Sequence, residues 1–323
     1  MSATIFRSFA EARGRFGPCA VAIGNFDGVH VGHQQLIAAT VRAARQKGIS
    51  PAVITFDPHP TAVVAPNRVP LLICPLEERL RLIEAAGAER IFVLPFTRDI
   101  AQLSAEEFVV QILVEALAVK AVLVGRNFHF GRHKSGTPAV LEALGKRYHF
   151  ETRFLDPVMV RGQVVSSTAV RTDLQAGRVL RAGRLLGRCF TVRGRVVSGR
   201  GIGSRETVPT LNLKPAPDLI AVHGIYVTET LERATGRRWP SVTSCGYNPT
   251  FGATDLTVET YVLANLGGAS PAEIEVSFRH FLRSEQTFPN APALKAQILR
   301  DVARAEAYWR HVKNLGKTAP SLY

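Results

Sequence analysis

Two hydrophobic rhythms divide the chain. In the first half, short apolar runs alternate with stretches of helical period. The runs fall at 19–23, 51–56, 90–94, 121–124 and 149–154, and the first four are apolar nearly throughout. Such runs read as strands buried on both faces of a parallel sheet. Between them, Leu36, Ile37, Val41 and Ala44 recur near a helical period, with Gly48 where a C-cap belongs. Pro75 opens a second helix with Leu76, Leu80 and Ile83 on one face and Gly87 at its end. Ser104-Ala105-Glu106-Glu107 is a capping box that starts a helix through about Leu117, and Thr137-Pro138 starts another to about Lys146. This alternation predicts a doubly wound α/β domain.

Near residue 184 the helical period stops. Runs rich in Val, Thr, Ile and Tyr follow at 189–197, 225–231, 241–245, 256–264 and 273–278, separated by Gly, Pro and Asn. About six strands of this length fit a small all-β barrel. The segment 176–186, rich in Arg and Gly, reads as the connection. From Pro292 a long helix carries Leu294, Ile298, Val302, Ala305 and Trp309 on one face, which should pack on the barrel. The expected domains are 1–183 and 184–323.

Composition narrows the class. No stretch is long and apolar enough to span a membrane, and the N-terminus lacks a basic-then-apolar signal pattern. Cys19, Cys74, Cys189 and Cys245 are scattered without a C-x-x-C, as expected for reduced thiols of a cytoplasmic protein. A net charge of +14 calls for anionic partners, either nucleic acid or small anionic substrates. The densest cluster is Arg178, Arg181, Arg184, Arg188, Arg193, Arg195, Arg200 and Arg205, which reads equally as a solvated face or a functional one. No RNA-binding motif or basic tail accompanies it.

The densest chemistry lies where the first strand meets the first helix, at Gly24-Asn25-Phe26-Asp27-Gly28-Val29-His30-Val31-Gly32-His33. A helix N-terminus offers unpaired N–H groups and the positive end of its dipole, which favour phosphate. Three glycines allow close approach of the backbone. His30 and His33 would project where two imidazoles can bind phosphate oxygens. The plainer alternative is a strand-to-helix turn with two solvated histidines. Neither a P-loop nor a G-x-G-x-x-G occurs.

Other segments end on the same rim, the C-terminal edge of the strands, where open α/β sheets bind ligands. Thr55-Phe56-Asp57-Pro58-His59-Pro60 brings Asp57 and His59, and Gly125-Arg126-Asn127-Phe128-His129-Phe130-Gly131 brings Asn127. Ser166-Ser167-Thr168-Ala169-Val170-Arg171 reads as an ordinary capped helix or as a second phosphate clamp of hydroxyls, N–H groups and one guanidinium. In the β half, Gly199, Gly201 and Gly203 alternate beside Arg200 and Arg205, as in a phosphate-cradling loop or a glycine hairpin. Thr210 and Asn212, two apart on an extended segment, face one side. Their hydroxyl and amide oxygens suit Mg²⁺ held together with phosphates. Glu259, inside a β-branched strand, is either a solvated strand residue or a general base.

Together these motifs resemble the bacterial bifunctional riboflavin kinase/FAD synthetase family. G-N-F-D-G-V-H-V-G-H, T-F-D-P-H-P, G-R-N-F-H-F-G and S-S-T-A-V-R match the adenylyltransferase module in order and spacing. Pro209-Thr210-Leu211-Asn212 resembles the P-T-A-N of the kinase module. Gly246-Tyr247-Asn248-Pro249-Thr250-Phe251-Gly252 and the strand with Glu259 resemble its flavin-side loop and catalytic glutamate. Residues 281–288, then Leu294, Gln297, Ile298 and Asp301, look like its C-terminal segment.

The resemblance implies a Rossmann-like nucleotidylyltransferase domain with a parallel sheet, then a small Greek-key barrel with a packed C-terminal helix. It implies ATP, riboflavin and FMN as substrates and Mg²⁺ with ATP. Catalytic roles fall to His30, His33, Arg171 and Glu259. Binding roles fall to Gly24, Asn25, Phe26, Asp27, Gly28, Gly32, Asp57, Asn127, Ser167, Thr168, Gly203, Pro209, Thr210 and Asn212, the last two also ligating the metal. One loop departs from the family's G-R-x-x-G-F-P-T. Gly203 is kept, but Ser204, Thr207 and Val208 replace the arginine, second glycine and aromatic. An adenylyltransferase with an impaired kinase-like domain is therefore one alternative. A basic nucleic-acid-binding protein is the other, and it would show affinity falling steeply with salt.

Overall fold

The computed structural model describes residues 2–197, 210–216, 218–247, 256–266 and 270–316, and the chain divides into two compact units, Met1–Ser167 and Thr168–Tyr323. The first unit runs β1 (Thr4–Phe6), α1 (Phe9–Ala12), β2 (Cys19–Ile23), α2 (Val31–Lys47), β3 (Ser50–Asp57), α3 (Pro60–Val64), α4 (Leu76–Ala85), β4 (Arg90–Pro95), α5 (Arg98–Gln102), α6 (Ala105–Glu107), β5 (Val119–Gly125), α7 (Pro138–Arg147) and β6 (Glu151–Leu155). A short hairpin of β7 (Met159–Val160) and β8 (Gln163–Val164) follows. Six parallel strands form one sheet in the order β1-β4-β3-β2-β5-β6.

The unbroken apolar runs have a direct cause. Successive strand residues point to opposite faces, and both faces are covered. Val21, Ile23, Ile54 and Val122 join one core with Phe108 and Ile112. Ala20, Ala22, Val53 and Leu123 join the other with Leu36, Ile37, Leu80 and Ile83. Each such Val, Leu, Ile or Phe side chain contributes about 1.5–3 kcal/mol by leaving water. The helix expected from Ser104 starts with both capping-box hydrogen bonds but opens into a π-helix over Phe108–Ala116. Its buried residues are Phe108, Val109, Ile112, Leu113 and Ala116, which form one face of the helix.

In the second unit, α8 (Ser167–Gln175), whose first residue closes the first unit, and α9 (Val179–Leu186) precede a barrel. Its strands are β9 (Phe190–Val197), β10 (Thr210–Pro215), β11 (Gly224–Glu232), β12 (Arg238–Tyr247), β13 (Leu256–Val262) and β14 (Glu273–Arg283), and α10 (Ala291–Gly316) follows. The barrel closes in the order β10-β13-β12-β11-β14-β9 with antiparallel pairing throughout. The spatial order β14-β11-β12-β13 is a Greek key.

Two expectations need correcting. The supposed connection 176–186 holds the helix α9, because Val179, Ala182, Leu185 and Leu186 form a buried stripe and its arginines accept a helical backbone. The apolar face of α10 also meets the barrel only in part. Ala305, Tyr308 and Trp309 pack with Ile225, Val227, Val242 and Leu282, whereas Leu294 and Ile298 stay 40% and 36% exposed.

Candidate active site

In the α/β sheet β2 has β3 on one side and β5 on the other, so the chain order reverses between β2 and β5. Ligands of open α/β sheets bind at such a switch point, outside the carboxyl ends of the strands. A cleft of about 1120 Å³ lies there. The end of β2 lines it with Ile23, Gly24 and Asn25, and the end of β5 with Gly125 and Asn127. His30, Gly32, His33, Phe56, Phe128, Ser166 and Ser167 complete its polar and aromatic wall.

The two histidines are a built pair. His30 is the N-cap of α2, and its Nδ1 accepts from the His33 backbone N–H at 3.2 Å. That bond puts the His30 proton on Nε2 in the neutral ring. The two rings stack at 3.6 Å and 12°, with Phe26 behind His33 at 4.9 Å. Gly32 makes room: a Cβ there would sit 3.2 Å from His30 Cε1. His33 Nδ1 is enclosed and has no hydrogen-bond partner among the described residues. Burial first, and His30 second, hold the His33 imidazole well below its usual value, so it is neutral near pH 7. His33 therefore offers a neutral N–H donor at a helix N-terminus, with the His30 ring stacked on it.

Asn25 is held from three sides. Its carbonyl accepts from Thr55 Oγ1 at 3.0 Å and from an Arg79 guanidinium nitrogen at 2.9 Å. His59 caps α3 by accepting the Thr61 N–H on Nδ1, which leaves the proton on Nε2. That Nε2 lies 3.2 Å from the Asn25 side-chain amide. The Asn25 atom facing it is Nδ2, so a proton on His59 Nε2 calls for the amide turned about, with its oxygen on that side.

The remaining turn residues act from behind. Phe26 is buried in the core. Asp27 is 1% exposed and its carboxylate accepts from the Ile73 and Cys74 N–H groups. Gly28 has φ +77°, and a Cβ would collide with Ile73 at 2.8 Å. Asp57 is exposed at the end of β3 and does not line the cleft. Ser167 Oγ donates to the Asp27 carbonyl at 2.9 Å, tying the start of α8 to the turn. Thr168, exposed, and Arg171, half-buried, follow on α8 within the second unit.

On the barrel, register brings the second set together. Asn212 pairs directly with Glu259, and Glu259 with Ser244 on the next strand, while Thr210 pairs with Tyr261. Leu211, Leu213, Val258 and Thr260 alternate with them and are buried. Thr210, Asn212 and Glu259 thus share the outer face, and directly opposed Cβ atoms lie about 5 Å apart. The Ser244 hydroxyl also approaches the Glu285 carboxylate at 3.4 Å. These hard oxygens fit a divalent cation carried by phosphates. Gly203, Ser204, Thr207, Val208 and Pro209 lie outside the described residues.

Sequence reasoning passed over Arg79, although a signal existed: an arginine on the apolar stripe of α4 formed by Leu76, Leu80 and Ile83. It also passed over the grip of His59 on Asn25. The arginine cluster is partly neutralised. Arg178 pairs with Asp173 and Arg193 with Glu273, each at 2.7 Å.

Two family models match in succession, FAD synthetase over residues 14–169 and riboflavin kinase over 186–309. The bifunctional riboflavin kinase/FMN adenylyltransferase of Pseudomonas fluorescens is 34% identical over 94% of this chain and 97% of its own. The chain belongs to this bifunctional family. The family's Escherichia coli K12 member is 32% identical over 90% of this chain and 93% of its own. The crystal structure of a Streptococcus pneumoniae protein described as a macrolide-efflux protein shares the fold, with 26% identity, coverage of 94% of this chain and 98% of that one, and a TM-score of 0.82. Among the described residues no helix is long and apolar enough to cross a membrane.

Proposed function

We propose that each unit of this riboflavin kinase/FMN adenylyltransferase family member carries one of the two activities, with the functional boundary near residue 184. The barrel phosphorylates riboflavin with ATP to FMN. The α/β unit transfers AMP from ATP to FMN, giving FAD and pyrophosphate. The observation that carries this reading is the His30–His33 stack at the N-terminus of α2, at the switch point of the sheet.

For adenylyl transfer, the FMN phosphate is already an anionic nucleophile. An oxygen of that phosphate bonds to the α-phosphorus of ATP, and the bond to the bridging oxygen of pyrophosphate breaks. No side-chain nucleophile and no strong base are needed. The protein's task is to stabilise charge on the α-phosphate and on departing pyrophosphate. His30 and His33 N–H groups, the α2 N-terminus and the Asn25 side-chain amide suit it, with the Ser167 hydroxyl at the edge of the same cleft. Asp27, Phe26, Gly24, Gly28 and Gly32 shape the turn, and Asn127 bounds the cleft.

For phosphoryl transfer, Glu259 takes the proton from the terminal ribityl hydroxyl as its oxygen bonds to the γ-phosphorus and ADP leaves. Catalysis is mostly positioning and charge neutralisation. Thr210 and Asn212 would hold Mg²⁺ with the ATP phosphates, where the ion supplies neutralisation of phosphate charge. Four free cysteines, three of them buried, accord with a cytoplasmic setting.

Paired variants test the division. His33→Ala should lower FAD formation from FMN about 10²–10⁴-fold and leave riboflavin phosphorylation intact. Glu259→Gln should do the reverse. Loss of both activities in either folded variant would refute separate sites.

A further inference from the structure

Arg79 is the most enclosed cation beside the cleft. It is 3% exposed on α4, within the core face of the first unit. One guanidinium nitrogen donates to the Asn25 carbonyl at 2.9 Å, the Phe56 carbonyl at 3.3 Å and Thr55 Oγ1 at 3.4 Å. Every one of these acceptors is uncharged. Arg79 forms no ion pair among the described residues, and its Nε has no hydrogen-bond partner there. A buried guanidinium without a counter-charge is costly. A neutral amide could supply donors to the same oxygens, so hydrogen bonding alone does not call for a cation. Asn25 and Phe56 both line the cleft, at the ends of adjacent strands β2 and β3.

We propose that Arg79 is a positioning residue for adenylyl transfer: it locks the Asn25 turn to the end of β3 and holds a positive charge behind the cleft that a nucleoside triphosphate balances. The inference rests on the proposed activity of the cleft. It works in two ways. The carbonyls of Asn25 and Phe56 are engaged by donors, so their negative ends repel an incoming phosphate less. The charge itself sits in a low-dielectric surrounding, where it is weakly screened and favours a polyanion over long range. Arg79 does not touch the reacting atoms in this scheme.

The test uses the full chain with Arg79→Lys and Arg79→Gln. KM for ATP and kcat are measured for FMN adenylylation, and KM for ATP in riboflavin phosphorylation is measured on the same preparation. Arg79→Gln should raise the adenylylation KM for ATP about tenfold or more with a smaller change in kcat, and Arg79→Lys should stay within about threefold of the parent. The kinase KM should not move. The raised KM should also depend less on salt than the parent's, because a charge has gone. Equal impairment of both variants, or a parent-like KM in Arg79→Gln, overturns the proposal. If Arg79→Gln does not fold, Arg79→Lys decides: a KM within about threefold supports the charge role and a tenfold rise overturns it. Failure of the proposed activity is distinguishable, because the parent chain itself would then make no FAD from FMN.

Discussion

At the scale of single residues, His33 is pressed between His30 and Phe26 and kept neutral by its burial. An unfolded chain titrates a histidine near pH 6.5. The fold prefers the neutral ring, so that preference costs nothing above about pH 6.5, and stability is lost as pH falls below it toward the lower folded value. The melting temperature of the α/β unit should therefore drop between about pH 6.5 and 5, and His33→Gln should flatten that drop. Thermal unfolding across pH checks it, and equal slopes in parent and variant would contradict it. The histidines, Asn25, Thr210, Asn212 and Glu259 were all legible in the sequence, because turn residues and strand alternation assign a face directly. Arg79 was only partly so: its place on the apolar stripe of α4 signals burial, but the carbonyls it meets lie at the ends of β2 and β3. Asp27 was legible as important, but its buried bonds to Ile73 and Cys74 depend on a loop far along the chain.

Among the elements, α10 joins apolar packing to one buried polar cluster at Asp301. Arg283 at the end of β14 reaches Asp301 on α10 with contacts of 2.8–2.9 Å, and Gln297 donates to the same carboxylate at 3.0 Å. The two charged side chains are 13% and 3% exposed. Removing one partner strands the other away from water. Asp301→Ala should lower barrel stability by about 3–5 kcal/mol in denaturant unfolding. A loss under about 1 kcal/mol would mark the pair as surface-like. The alternating strands and the barrel were readable from period alone. Some elements were not, β1 and α9 among them. β1 buries only Phe6, so it carries no pattern. α9 was masked by its arginines and glycines. The N-terminal half of α10 has apolar residues that its surroundings leave exposed.

On the scale of the whole molecule, the excess of positive charge has a chemical use without nucleic acid. ATP, FMN and pyrophosphate are anions, and a basic protein concentrates them. Part of the arginine cluster is already neutralised by Asp173 and Glu273. A nucleic-acid binder would need that surface open and would lose affinity steeply with salt. Both halves of the family match lie in one chain, so the product of one reaction is the substrate of the next. The altered positions Ser204, Thr207 and Val208 fall within the stretch matched by the riboflavin kinase model.

The most direct measurement is a time course of the pure protein with riboflavin, ATP and Mg²⁺, with the flavins separated by chromatography. FMN should rise first and FAD should follow at its expense. FAD made only from supplied FMN would mean that the altered loop has cost the kinase. No turnover of either flavin would contradict the account.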